Sequence, residues 1–407
     1  MSWWDVFINE LRAIFFNRSI VLTVFGGVIF YSFLYPLPYS QQVPREQKVV
    51  VVNLDESQLS RKLERMVDAT PQVELSERAY SVEEAEKLFL EKRLAGILVI
   101  PENFYRDLLL GRQPTLSFAG DASYILVYST VLEGMLGAGG TMSAEVKVTR
   151  MVMSGQAMAL AAEQYSAIRL NSRPAFNETM GYVNYIVPAV FILILHQTLI
   201  IGAGLLGGGQ NERRLAGEGG YWLQASPLKL LMVRALIFAA IYWILSLYYF
   251  GFCFVYYGVP HLADAAELHL LLLPFLLSAA MLGICIGAVL PRCELATLIV
   301  LLMSMPLVFG AGFVWPTVAI PAPIATILNM VPVVPAIQGF LRLNQMGADF
   351  QAIISLWKQL WLLTGGYGFL AWLLLHRHQA LAEKQRVAKH SCEQSLSEID
   401  NISQSLS

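Results

Sequence analysis

Few side chains in this sequence have the types or the spacing that chemistry requires. The four cysteines, Cys253, Cys285, Cys293 and Cys392, fall in no CxxC or Cys/His spacing. They predict no metal centre, and they read as small apolar residues. Residues 37–180 contain no cysteine and no histidine, so that stretch can hold neither a disulfide framework nor a nucleophile–His–acid triad. Asp55, Glu56 and Asp121 read as caps and turn residues rather than as a carboxylate pair. No catalytic residue and no metal ligand is assigned. A phosphate-binding loop of the form GxxxxGK[ST] is absent, because Gly207-Gly208-Gly209 is followed by Gln210 and Asn211 and closes an apolar segment instead of opening a helix after a strand. Those glycines are expected to loosen a helix end.

Polar groups within apolar segments are scarce. His196 and Gln197 lie inside one, and Glu267 and His269 sit at the edge of another. Transporters driven by proton or sodium gradients keep acids, His or Lys within their spans, since the ion needs a ligand there. An unpaired charge at mid-bilayer costs roughly 2.5–3.5 kcal/mol on insertion scales. His196 fits either a proton relay or a packed histidine of a helix bundle. The scarcity of such groups argues that any driving energy arrives from outside the spans. If ATP is the source, the ATPase is a separate polypeptide.

The elements that must carry these residues follow from composition. The chain has 407 residues, 56% hydrophobic and 14% charged, against roughly a quarter charged in soluble domains. A net charge of -2 is too weak to suggest nucleic acid as a partner. The apolar residues cluster into blocks of about 20, the length that crosses a bilayer as a helix. Six such spans are predicted: Ser19–Leu37, Val183–Leu206, Leu228–Tyr257, His269–Leu290, Leu295–Phe313 and Leu356–Leu375. The first is followed by no small-x-small cleavage site and reads as a retained span. The fold class is therefore a polytopic α-helical membrane protein.

Orientation follows from Lys and Arg beside the spans. Arg12 and Arg18, then Arg213, Arg214 and Lys229, then Arg292, then Arg377, Lys384, Arg386 and Lys389 all fall on one side of a six-span chain. Both termini are predicted cytoplasmic. Residues 1–18 form an N-terminal segment, 19–37 the first span, 38–180 an extracytoplasmic domain, 181–376 the remaining spans and 377–407 a cytoplasmic tail. The tail from Gln379 reads as a basic helix fading into a Ser/Gln-rich disordered end.

Within 38–180 the period changes. Strands are predicted at Lys48–Leu54, Gln72–Tyr80, Gly96–Ile100 and Pro114–Ala119. Helices are predicted at Asp55–Val67, opened by Asp55 or Ser57, at a Ser81-capped segment ending at Glu91, and at Glu102–Leu110. Strands alternating with short helices make a small α/β sheet. A longer helical region, Ala122–Ala167, is expected to break at Gly137, Gly139 and Gly140, and Ile168–Phe176 to return extended.

Two elements on the predicted inner side could receive force. Trp3–Phe15 is amphipathic, with Trp3, Phe7, Leu11, Ile14 and Phe15 on one side and Asp5, Asn9 and Arg12 on the other. It fits a surface anchor as well as a connecting element. Loop 207–228 presents Glu212, Arg213 and Arg214 before Pro227 restarts a helix, which fits a partner contact or a solvated basic loop. A hydrophobic path is expected along Phe191, Leu195 and His196 of the second span and Met303, Met305, Phe309 and Phe313 of the fifth; apolar helix packing accounts for the same residues. Residues 314–355 carry Pro316, Pro321, Pro323, Pro332 and Pro335 between apolar pieces too short to span. Broken backbone at membrane depth must be buried or line a cavity.

The chain resembles the ABC-2 type permeases, the membrane subunits of type V ABC exporters, over nearly its whole length. Val51–Leu75 (VVNLDESQLSRKLERMVDATPQVEL) is similar to the family's strand followed by a D-x-S-x-x-S-R helix. Leu94–Pro114 resembles its strand and I-P-x-x-F turn, Tyr182–Leu195 the start of its second span, and Asn211–Leu236 its cytoplasmic segment with Ser226-Pro227. Gly217-Glu218-Gly219-Gly220 stands where related chains tend to have Glu-Arg-Gly-Thr, and Lys229-Leu230 near a usual Glu. The nearest resemblance is to a bacterial subgroup with a large periplasmic insert, often associated with multidrug efflux. It implies an inner-membrane protein with 38–180 periplasmic, a connecting helix at Trp3–Phe15, a coupling loop at 207–228 and an external re-entrant region at 314–355. It also implies six spans as half a transporter, needing a second copy or a paired permease.

ATP and magnesium are then expected in partner ABC ATPase subunits, with no cofactor on this chain and no enzyme activity of its own. Membrane lipid is a further partner, and a periplasmic adaptor and outer-membrane channel are compatible ones. The cargo would be hydrophobic or amphipathic. Two other classes stay open: an ion-coupled exporter relaying through His196, and an envelope assembly or receptor protein acting through its external domain.

Overall fold

The computed structural model describes residues 1–39, 43–166, 175–177 and 180–405, with side chains through residue 383. It divides into two compact units, Met1–Ser40 with Phe176–Ser407 and Gln41–Ala175. The extended return expected over Ile168–Phe176 lies almost wholly outside the described residues.

Helix α1 (Trp3–Phe15) ends at Phe16, and Asn17 caps the next helix by accepting the amides of Ser19 and Ile20 through its side chain. That helix, α2 (Arg18–Tyr39), contains a π-helical stretch at Leu22–Gly27.

The second unit begins with β1 (Gln47–Asn53), then α3 (Gln58–Asp68), β2 (Val73–Ala79), α4 (Val82–Glu91), β3 (Gly96–Ile100), α5 (Phe104–Leu109), β4 (Ser117–Gly120), α6 (Ile125–Met153) and α7 (Met158–Gln164). The sheet order is β2-β1-β3-β4, parallel except for β4, which runs against β3. Alternation along β1 divides the core in two. Val49 and Val51 pack with Leu63, Leu98, Phe104 and Val131 on one face, and Val50 and Val52 with Ala79, Ala85 and Ile97 on the other. Of the two candidate openers of α3, Ser57 is the cap; Asp55 instead accepts the amide of Tyr105 at 3.3 and 3.4 Å.

The break expected at Gly137, Gly139 and Gly140 does not occur, and α6 runs unbroken through all three. Its buried stripe of Val131, Gly134, Met135, Ala138 and Met142 repeats at helical spacing and holds the helix on the sheet unit, which outweighs the weak propensity of exposed glycine. Gly134 is the glycine with a packing reason, since a Cβ there would meet Thr70, Gln72 and Val73 at 3.0–3.1 Å.

The first unit resumes with α8 (Tyr182–Leu215), α9 (Tyr221–Gln224), α10 (Pro227–Tyr257), α11 (Ala265–Val289), α12 (Glu294–Gly310), α13 (Ala322–Asn329), α14 (Val333–Gln345) and α15 (Ile354–Ser405). Among the described residues, four helices are long and apolar enough to cross a membrane: α2, α8, α10 and α11. The pair α13 and α14, bent by 90°, makes a fifth if it counts as one span. Helix α12 is apolar but only 17 residues long, and the expected sixth span, Leu356–Leu375, is the first part of the 52-residue α15. The helical backbone continues through Ser405, beyond the point where a Ser/Gln-rich composition reads as disorder.

Helix α8 is buried along nearly its whole length, with α10, α11 and α12 against it. The glycines at 207–209 do not loosen its end. The helix passes straight through them, and Gly207 lies so close to Gly287 of α11 that a Cβ on either would come within 3.0 Å of the other's backbone. Small residues allow this approach where apolar surface alone, surrounded by lipid tails, provides little drive for helix association.

Candidate functional site

At its N-terminus α1 is fixed by a capping box. Asp5 N–H donates to Ser2 Oγ at 3.1 Å, and Ser2 N–H donates to the Asp5 carboxylate at 2.9 Å. The hydrogen bonds from Ser2 hold the Asp5 carboxyl below the ordinary carboxylate range.

The face this helix buries against the bundle takes in part of its apolar side and one charged residue. Val6, Glu10 and Ile14 are enclosed, Phe7 and Leu11 flank them half-buried, and Trp3, Arg12 and Phe15 are exposed. A carboxylate thus occupies the centre of the apolar stripe. Its partner is Arg234 of α10, which forms a two-pronged bond, Nε to Oε2 at 2.9 Å and Nη2 to Oε1 at 2.6 Å. Exposure is 0% for Glu10 and 1% for Arg234.

Two further residues close the arrangement. Arg234 Nη2 also donates to Gln210 Oε1 of α8 at 2.6 Å, Gln210 Nε2 donates to the Tyr221 hydroxyl of α9 at 2.9 Å, and that hydroxyl donates to Glu10 Oε1 at 2.9 Å. Glu10, Arg234, Gln210 and Tyr221 therefore form a closed hydrogen-bonded ring drawn from four helices. Burial, together with the Glu10 charge, pushes the Tyr221 hydroxyl pKa up and keeps it a donor. Desolvating two charges is costly, and only this degree of satisfaction repays it.

Other contacts tie the same end together. Lys229 lies 5.7 Å from the centroid of the Trp3 ring and donates to the Met1 carbonyl at 3.3 Å. Gln379 of α15 donates to the carbonyls of Trp222 and Ala225 at 2.9 and 2.6 Å. Arg214 turns back onto Asn211, whose amide donates to the Leu290 carbonyl at 2.7 Å. A cavity of about 20 Å³, room for about one water, is lined by Gln210, Arg214, Trp222, Arg234 and His378. Burial, with Arg214 and Arg377 nearby, pushes the His378 imidazole down to about 4. Glu212, Arg213 and Ser226 remain exposed, and Pro227 starts α10.

The residues expected to line a path fall into two groups. Phe191 stacks on Tyr249 at 4.1 Å, Leu195 is fully enclosed, and the buried His196 lies parallel to Phe275 at 6.2 Å. Among the described residues, neither ring nitrogen of His196 has a hydrogen-bond partner. Met303, Met305 and Phe309 lie on the outer surface of α12, and Phe313 is buried beyond its end, where its carbonyl accepts the Tyr185 hydroxyl. The two groups do not form one lining within a single chain.

A bundle of apolar helices with a small α/β unit inserted after the first is the setting of these residues. A family model for ABC-2 family transporter proteins matches residues 18–373. The chain belongs to this family. No curated protein matches it. As an ABC-2 family member, it is a multi-pass membrane permease of an ABC transporter. Permeases of this family typically have no enzyme activity and work with an ATPase in a separate subunit. Of the ring residues, Glu10 and Arg234 were recoverable from sequence, because a lone charge on an apolar stripe and a lone Arg in an apolar run each demand a partner. Gln210 and Tyr221 carried no such signal.

Proposed function

We propose that this permease is half of an ATP-driven exporter, moving a hydrophobic or amphipathic substrate outward from the cytoplasm or inner leaflet. Its six spans are α2, α8, α10, α11, α12 and the first part of α15. Both termini are cytoplasmic, residues 38–180 are periplasmic, and the membrane is the bacterial inner membrane. Separate ABC ATPase subunits bind ATP and magnesium and press on two elements. One is α1, through Trp3, Phe7, Leu11 and Arg12. The other is the segment 207–228, made of the last turns of α8, of α9 and of the start of α10, through Glu212, Arg213, Arg214, Ser226 and Pro227. A second permease copy or a paired homologue completes the path, and Met303, Met305 and Phe309, exposed on α12, would line it across that junction with Phe313 at its outer end. Phe191, Leu195 and His196 pack behind it. A periplasmic adaptor and outer-membrane channel are compatible with the external unit.

The observation that carries this reading is the closed ring of Glu10, Arg234, Gln210 and Tyr221. It joins both force-receiving elements to the C-terminal end of α8 and the first turns of α10, so displacement of either must move these two helices. An ion-coupled mechanism would need His196, which is enclosed by apolar side chains. The test is purification from native membranes followed by reconstitution in proteoliposomes. An ATPase that co-purifies, with dye export that requires ATP, is the expected result; export at full rate on an ion gradient with no ATPase present would overturn the proposal.

A further inference from the structure

The unit formed by Gln41–Ala175 contains a cavity of about 320 Å³ between α3, α5, the turn after it and the part of α6 around Met142 and Val146. Its floor is apolar: Leu63, Phe104 and Met142 are buried there, with Leu108, Leu116 and Val146 half-exposed above them. The rim is cationic, formed by Arg112 from the turn and by Lys147 and Arg150 from one turn of α6. Of the rim cations, Arg112 is paired with Asp107, whereas the acid beside Lys147, Glu145, is engaged elsewhere. Asp107 lies 3.7 Å from Arg112 and 3.6 Å from Arg106, and Glu145 pairs with Lys62. Among the described residues, no ion pair involves Lys147 or Arg150.

Two glycines shape the opening. Gly111 has φ +81, and a Cβ there would meet Arg150 Nη2 at 3.0 Å, so its absence lets the guanidinium fold over the turn and donate to the Leu108 carbonyl at 2.8 Å. Gly139 leaves one wall without a side chain, and a Cβ there would meet only Leu116 Cδ1, at 3.8 Å. The volume falls in the range of small-molecule sites, roughly 300–1,000 Å³.

We infer that this cavity is a binding site for an amphiphile with one anionic head and a single apolar chain, the chain lying on the Phe104–Met142 floor and the head meeting Lys147, Arg150 and Arg112. The apolar floor excludes simple anions, and Lys147 and Arg150, the two rim cations in no ion pair among the described residues, disfavour cationic amphiphiles. The inference rests on this unit alone and is independent of the direction of transport and of the ATPase.

The test uses the full-length chain in lipid nanodiscs, probed by amide hydrogen exchange over residues 104–116 and 139–150. Three ligands with the same chain are compared: dodecanoate, dodecyltrimethylammonium and 1-dodecanol. Dodecanoate is expected to slow exchange in both segments, and the cation and the alcohol to leave it unchanged. Lys147→Glu should weaken the dodecanoate effect about tenfold or more, the worth of one charge-assisted contact. Gly139→Leu, which fills the cavity and favours the helix, should abolish protection while leaving the unliganded exchange pattern intact. No protection by dodecanoate, equal protection by all three ligands, protection by inorganic phosphate alone, or protection that survives in Gly139→Leu would each overturn the inference.

Discussion

Glu10 and Arg234 lie 224 positions apart in the chain and meet in a two-pronged ion pair, 2.6 and 2.9 Å, that solvent does not reach. The pair fixes the N-terminal helix to the first turns of α10. Whether it also transmits force is separable from its contribution to stability.

Replacing one partner leaves the other charge buried alone. Glu10→Gln is therefore expected to cost about 3–5 kcal/mol, read as a loss of thermal stability in nanodiscs. The double replacement Glu10→Met with Arg234→Met removes both charges and is expected to recover most of that loss, because a well-packed apolar substitute for a buried pair is often neutral. ATP-driven export should stay impaired in the double variant. Recovery of both stability and export would show that the pair only holds the helix in place.

The contact between α8 and α11 makes a second, sharper prediction. Gly207→Ala puts a methyl group 3.0 Å from the Gly287 backbone and forces the helices apart, at a cost of about 1–3 kcal/mol. Gly209→Ala meets nothing within 4 Å and should be neutral or slightly stabilising. Thermal unfolding of the two variants side by side decides the matter, and equal behaviour would contradict the close approach.

Helix α6 offers the same contrast in the α/β unit. With the helix continuous, Gly137→Ala and Gly140→Ala each relieve a poor helix former and are expected to stabilise by about 0.5–1 kcal/mol. Gly134→Ala should destabilise, since its methyl would press on Thr70 and Val73. Local hydrogen exchange over β2 and α6 is the measurement. Destabilisation by Gly137→Ala would mean that the helix breaks there.

His378 gives a pH dependence. Burial, reinforced by Arg214 and Arg377, holds its folded-state pKa at about 4, below the unfolded value of about 6.5. The unfolded chain then binds the extra proton first as the pH falls. The contribution of the neutral imidazole is fully present above about pH 6.5, declines between about 6.5 and 4, and is lost below that. The thermal midpoint should drop across this window in the parent protein, and His378→Gln should flatten that part of the profile. An unchanged slope in the variant would assign the dependence to other groups.

Much of the helical framework was legible in the sequence, because lipid forces backbone groups to pair within each segment and so makes apolar length a direct signal. The strand–helix alternation of 47–120 was legible for a related reason, since β-branched runs such as Val49–Val52 and caps such as Ser57 and Ser81 act locally. The exceptions arose where tertiary contact overrides local preference. Gly137, Gly139 and Gly140 read as a break, yet the stripe from Val131 to Met142 keeps α6 whole. Gly207 read as a loose end, yet it is a packing surface whose partner, Gly287, lies in another helix. In α1 the lone charge of Glu10 beside apolar neighbours signals that a partner is needed, but its spacing does not tell that this partner is Arg234, in a distant segment.

The closed form of the ring has a consequence for how motion could pass through it. Glu10, Arg234, Gln210 and Tyr221 are each bonded to two of the others, so dislodging Gln210 or Tyr221 forfeits two bonds together, dislodging Glu10 or Arg234 forfeits three, and a polar atom is stranded away from water. Such a joint resists small thermal jostling of the surface helix and yields only past a threshold. The helices beneath it should therefore respond to a push in discrete steps, as a latch does, and stay still between them.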